Sequence, residues 1–115
     1  FQPASVGMQA WWNLDAQPIL YYGKNPTKRN LGTPCSYTMT EMPEKNGHPC
    51  PKPLTAWKRL MCNVTLETMT ILDPFVGSGT TLLAAKQTNR SAIGIELNEA
   101  YCEIAETRLA QGVLL

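Results

Sequence analysis

The stretch Asp73-Pro74-Phe75-Val76-Gly77-Ser78-Gly79-Thr80-Thr81 constrains the fold of this 115-residue chain more than any other part of it. A short apolar run, Met69-Thr70-Ile71-Leu72, leads into it and reads as a strand. The turn itself carries glycines at 77 and 79, which admit backbone conformations and close approaches that side chains forbid. Beyond it, Leu82-Leu83-Ala84-Ala85-Lys86-Gln87 has the composition of a helix that Ser78 or Gly79 opens and Asn89 closes in the left-handed region. Ser91 to Glu96 reads as a second strand. A last helix runs from a cap at Asn98 to Gly112, with Tyr101, Ile104, Ala105, Arg108 and Leu109 on one face, Arg108 contributing an aliphatic stem. Strand, glycine turn, helix and strand in that order make a βαβ unit, so the chain is α/β with a parallel sheet.

Upstream the character changes near residue 47. Residues 1–46 are loop-rich, with one short strand expected over Pro18 to Tyr22 and a long loop from Gly23 to Met42. In that loop Lys24, Lys28 and Arg29 form a small basic cluster that could touch phosphates, although charges on loops are most often simply solvated. Trp11 and Trp12 could stack on bases, but paired aromatics more often anchor cores. From Gly47 onward Pro49, Pro51 and Pro53 hold the backbone extended before a helix that Pro53 or Leu54 opens without losing a useful N–H. Leu54, Trp57, Leu60, Met61 and Val64 recur there at helical spacing and read as a core face. Residues 47–111 are thus a βαβ unit with a preceding helix, within a single domain spanning 1–115.

Composition excludes several classes. With 43% hydrophobic residues, 17% charged and a formal net charge of +1, neither disorder nor wholesale attraction to nucleic acid is expected, so any DNA contact is local. No apolar run reaches the about 18 residues of a membrane span, and Phe1 to Gln9 lack a secretory pattern, so a cytoplasmic chain without membrane partners is expected. Cysteines in that compartment stay reduced. Cys35, His48, Cys50 and Cys62 lack the tight pairwise spacing of structural zinc sites, and no metal is expected.

The chemistry of the turn follows from its residue types. Gly77 and Gly79 let a ligand approach the main chain and present the first N–H groups of the helix, with their partial positive charge, to an anionic group. Glu96 closes the next strand, where an acid in such a unit takes ribose hydroxyls. Asp73 selects among nucleosides. Against a pyrophosphate it would be repelled by about 4 kcal/mol per charge pair at roughly 4 Å in a moderate dielectric. The ammonium and sulfonium of S-adenosylmethionine attract it instead. Leu82 stands where a dinucleotide turn has its third glycine, and no phosphate-loop motif is present, which leaves a dinucleotide module as a minor alternative.

The segment from Gly47 to Leu109 resembles the C-terminal half of the bacterial and phage DNA amino-methyltransferases that modify adenine N6 or cytosine N4. The resemblance rests on His48-Pro49-Cys50-Pro51-Lys52-Pro53, on the Asp73 to Thr81 turn, and on Gly94-Ile95-Glu96, in that order, with a weaker match at Gln17 to Lys24. Pro51 stands where the family usually has glutamine. The resemblance implies a Rossmann-like S-adenosylmethionine-dependent methyltransferase fold with a partly parallel, incomplete sheet. It implies that Asp73, Phe75, Gly77, Ser78 and Gly79 surround the methionine part of S-adenosylmethionine and that Glu96 holds the ribose. Thr80 and Thr81 would bond the cofactor carboxylate, with His48 and Lys52 beside it. Helix capping explains the two threonines equally well.

The same resemblance exposes an absence. The family's Asp/Asn/Ser-Pro-Pro-aromatic segment, which grips the flipped target base, does not occur in the 115 residues, so no catalytic residue is assigned. In the permuted branch of the family it would precede residue 1. The chain is then expected to be the cofactor-binding part of an enzyme acting on DNA, or alternatively a stand-alone binding or regulatory module. The first strand would lack its outer neighbour, which predicts self-association or a complementing N-terminal half.

Overall fold

The computed structural model describes residues 19–20, 22–24, 26, 47, 49 and 52–111. Among them the order is α1 (Leu54–Val64), β1 (Thr70–Asp73), α2 (Thr80–Gln87), β2 (Ser91–Gly94) and α3 (Glu99–Gln111). Pro53, extended at φ −63° and ψ 124°, opens α1 as expected, and its carbonyl accepts from Trp57 N at 3.2 Å. Met61 of α1 is buried with Ala84 and Ala85 of α2, and Leu54, Trp57, Ile71 and Ala92 pack against that cluster. The helical stripe seen in the sequence is therefore the core face.

The two strands pair in parallel, with Thr70 beside Ser91 and Asp73 beside Gly94. β1 ends one residue later than expected and β2 two residues earlier. The reason for the second difference is the turn: Ile95 N donates to Asp73 O at 2.9 Å, but Ile95 O then accepts from Val76 N at 3.1 Å, so the chain after Gly94 belongs to the turn's hydrogen bonds. Val76 lies directly over Gly94, where an added Cβ would sit 3.0 Å from three Val76 carbons. Glycine at 94 is what lets the turn fold back over β2.

Helix ends follow the expected chemistry. Gly79, at φ 84°, precedes α2. Asn89, at φ 59°, ends it, and Arg90 N returns to Ala85 O at 2.9 Å in the pattern of a left-handed C-terminal cap. Asn98 caps α3 through its Oδ1, which accepts from Ala100 N at 3.0 Å. Arg90 then ties the end of α1 to the end of α2. Its Nε and Nη2 donate to Thr65 Oγ1 and Thr65 O, each at 2.8 Å, and its Nη1 to Thr88 O at 2.6 Å.

Among the described residues the sheet is covered on one face. Ile71 and Ala92 point to the helices, whereas Leu72 and Ile93, paired across the strands, are 63% and 56% exposed, and Ile95 beyond them is also exposed. Ile19, Leu20 and Tyr22 are exposed and form no strand, because neither described strand pairs with them; the rest of the strand expected over 18–22 lies outside the described residues. His48, Cys35 and Cys50 also lie outside them, as does the helix end expected at Gly112. Cys62 and Cys102 are thiols, half-buried. Among the described residues no helix is long and apolar enough to cross a membrane.

Candidate cofactor site

Parallel strands deliver their carboxyl ends to one edge of the sheet, and that edge is where α/β folds take ligands. Here Asp73 and Glu96 arrive together at it. Asp73 Oδ1 accepts from Phe75 N at 3.0 Å, a local turn that holds the carboxylate beside the chain reversal. Glu96 reaches further. Its Oε2 accepts from Gly77 N at 2.9 Å, and its Oε1 from Asn98 N at 2.8 Å. One carboxylate thus joins the glycine turn to the start of α3, with two charge-assisted bonds fixing its plane. A carboxylate has about four acceptor positions, so this bridging leaves its chemistry toward hydroxyl groups intact.

The turn has the backbone the sequence implied. Gly77 and Gly79 both have positive φ, 54° and 84°, and Gly79 N donates to Val76 O at 3.0 Å. Gly79 is doubly required, because a Cβ there would lie 2.7 Å from Ala105 Cβ on α3. Phe75 is 88% exposed. Ser78, Thr80 and Thr81 are buried, and their polar atoms are engaged from two sides. Thr80 Oγ1 donates to Lys52 O at 3.5 Å, which brings the residue before Pro53 to the start of α2. Thr81 Oγ1 accepts from Trp57 Nε1 at 3.1 Å. Gly77, Ser78, Gly79, Thr80 and Thr81 run into the first turn of α2, where Lys52 joins them through its carbonyl and Glu96 through Gly77 N; Asp73 and Phe75 stand at the strand end of the same turn, and His48 lies outside the described residues.

Sequence reasoning missed the roles of Arg108 and Trp57. Arg108 contributes more to the packed face than an aliphatic stem: it is 7% exposed, and its Nη1 donates to Ser78 O at 2.5 Å, Thr80 Oγ1 at 3.2 Å and Ser78 Oγ at 3.4 Å. The apolar face it shares with Ala105 signalled burial. The acceptors that make burial tolerable lie some 30 residues back, in the glycine turn.

The fold and the turn define a Rossmann-like α/β unit in which a glycine turn and two carboxylates, Asp73 and Glu96, meet at the carboxyl ends of its strands. The chain belongs to the N6/N4 DNA methylase family, whose model, described as DNA methylase, matches residues 4–107. It is 52% identical over 66 residues to the type II methyltransferase M.HindIII of Haemophilus influenzae, covering 57% of this chain and 21% of that protein. It is 43% identical over 101 residues to the type II methyltransferase M2.DpnII of Streptococcus pneumoniae, covering 86% and 36%. Among solved structures, the complex of M1.HpyAVI with SAM matches with a TM-score of 0.56 and 42% identity, over 57% of this chain and 33% of that one. TTHA0409 of Thermus thermophilus, complexed with S-adenosyl-L-methionine, matches with a TM-score of 0.53 and 41% identity, over 56% and 26%. The chain therefore spans about a third or less of the length of most of these proteins, and the fold it shares with them is their methyltransferase fold in part.

Proposed function

We propose that this chain is the S-adenosylmethionine-binding part of a DNA amino-methyltransferase that modifies adenine N6 or cytosine N4, working in the cytoplasm. The observation that carries the reading is the Glu96 carboxylate bonded to Gly77 N in the turn that Asp73 borders. It supports the reading because an acid able to accept from ribose hydroxyls, a bare glycine backbone and a second carboxylate suited to the cofactor's cations stand at one strand edge. Asp73, Phe75, Gly77, Ser78 and Gly79 would surround the methionine part, Thr80 and Thr81 its carboxylate, with His48 and Lys52 beside them, and Glu96 the ribose. When bound, the cofactor supplies the methyl group. Residues 47–111 form the binding unit, and these 115 residues contain no Pro-Pro-aromatic segment, so on their own they bind without transferring methyl.

Calorimetric titration of S-adenosylmethionine into the chain tests this. Binding is expected, and Asp73→Ala is expected to weaken it by about 1–3 kcal/mol through loss of a counter-charge. A folded sample that does not bind, or an Asp73→Ala variant with unchanged affinity, would remove the reading.

The sheet face that no described element covers is where the remainder of the domain docks in this reading, and copies of the chain associate through it when that remainder is absent. Leu72 and Ile93, side by side on β1 and β2, carry the contact. Sedimentation velocity is expected to show a coefficient that rises with concentration, and Ile93→Lys to abolish the rise, since a charge in an apolar contact costs more than the contact gains. A stable monomer at high concentration overturns this part of the proposal.

A further inference from the structure

Arg108 is buried, cationic and bonded to the turn from α3. We propose that Arg108 is a positioning residue for the amino-acid carboxylate of the cofactor, acting through Ser78 and Thr80; the inference rests on the S-adenosylmethionine reading of the turn.

The argument begins with the donors. A guanidinium has no acceptor, so where Arg108 Nη1 meets Thr80 Oγ1 at 3.2 Å the hydroxyl accepts and its own proton points elsewhere. Its acceptor in the structure is Lys52 O at 3.5 Å, well beyond the roughly 2.7–2.8 Å usual for an O–H to O bond. That proton is held loosely and is presented to a better acceptor at the start of α2. Arg108 also holds Ser78 O at 2.5 Å, while the N–H of the same peptide, on Gly79, is held by Val76 O at 3.0 Å. Both ends of the peptide just before α2 are thereby fixed, and with them the direction of the first amides of the helix, which have no partner within it.

Charge points the same way. The amino end of α2 is already positive by its backbone dipoles, and Arg108 adds a full charge there at 7% exposure. It meets Ser78 and Thr80 there through neutral oxygens. A cation beside the positive end of a helix adds to the potential that an arriving carboxylate meets. Arg108 thus raises affinity for the amino-acid part of the ligand while leaving the nucleoside part to Glu96.

The test uses two neutral thioethers that differ in the amino acid alone: S-adenosylhomocysteine, which has it, and 5′-methylthioadenosine, which lacks it. Both are titrated into the full chain, wild type, Arg108→Met and Arg108→Lys, with thermal unfolding of each sample. Arg108→Met is expected to lose about tenfold to a hundredfold in affinity for S-adenosylhomocysteine and less than about threefold for methylthioadenosine, with Arg108→Lys recovering part of the difference. Equal losses for the two ligands mean that Arg108 only supports the fold, and no loss means that it does nothing at the site; either result overturns the proposal. If Arg108→Met fails to fold, Arg108→Lys decides by the same ratio, selective weakening supporting the role and parallel weakening overturning it. A wild type that binds neither ligand removes the cofactor reading itself, whereas binding by wild type with an unselective variant removes the Arg108 role alone.

Discussion

Gly79→Ala is expected to lower stability by about 2–5 kcal/mol, from two separable causes. The backbone at 79 has φ 84°, where a side-chain-bearing residue costs about 1–2 kcal/mol. The new methyl would also stand 2.7 Å from Ala105 Cβ and 3.0 Å from Ala105 Cα, so α3 must move, and overpacking of that kind costs roughly 1–3 kcal/mol. Thermal unfolding of the two proteins at one concentration measures the sum. A second variant separates the parts. Ala105→Gly makes room for the methyl, at about 1 kcal/mol of helix propensity, so the double variant should be more stable than the two single losses would add to. The left-handed strain remains in it. If Gly79→Ala unfolds within about 2 °C of wild type, the close approach of α3 to the turn is wrong.

Glu96→Ala is the other large effect, and it falls on binding. The side chain accepts from Gly77 N and Asn98 N, so removing it releases both the turn and the start of α3 as well as any ribose contact. An affinity loss for S-adenosylmethionine of about 2–4 kcal/mol is expected, since each bond to a charged group is worth roughly 1.5–3 kcal/mol and the losses overlap. Glu96→Gln is informative beside it. An amide has one accepting oxygen, so it can serve Gly77 or Asn98 but sets its own N–H against the other. It should therefore fall close to alanine rather than to wild type. Calorimetry reads both variants, and affinity within twofold of wild type in Glu96→Ala would take Glu96 out of the site.

The frame of the molecule was legible because its signals are local. Proline before α1, glycine before α2, asparagine at the end of α2 and at the start of α3 each act within a few residues, and each stands where the sequence put it. The parallel pairing of β1 and β2 was legible from the order of elements, since a helix between short strands forces it. What escaped were contacts set by packing across the chain. Nothing near Arg108 announces a carbonyl at Ser78, and nothing near Trp57 announces the hydroxyl of Thr81, because those partners meet only after α1 and α3 close on α2. The end of β2 was misjudged for a related reason: Ile95 has strand propensity, but Val76 captures its carbonyl. Glu96 was read from the sequence as an acid for ribose hydroxyls; that its carboxylate staples the turn to the start of α3 is a tertiary fact.

The one-sided sheet has a thermodynamic consequence. On the proposed docking, Leu72, Ile93 and Ile95 are covered by a partner that binds the folded chain, and whatever binds the folded form and not the unfolded one adds RT ln(1 + [L]/Kd) to its stability. At a hundredfold excess over Kd that is about 2.7 kcal/mol, as much as the substitutions above remove. On that proposal the unfolding midpoint of this chain is a function of how much of its cover is present, and folding and assembly are two readings of one equilibrium.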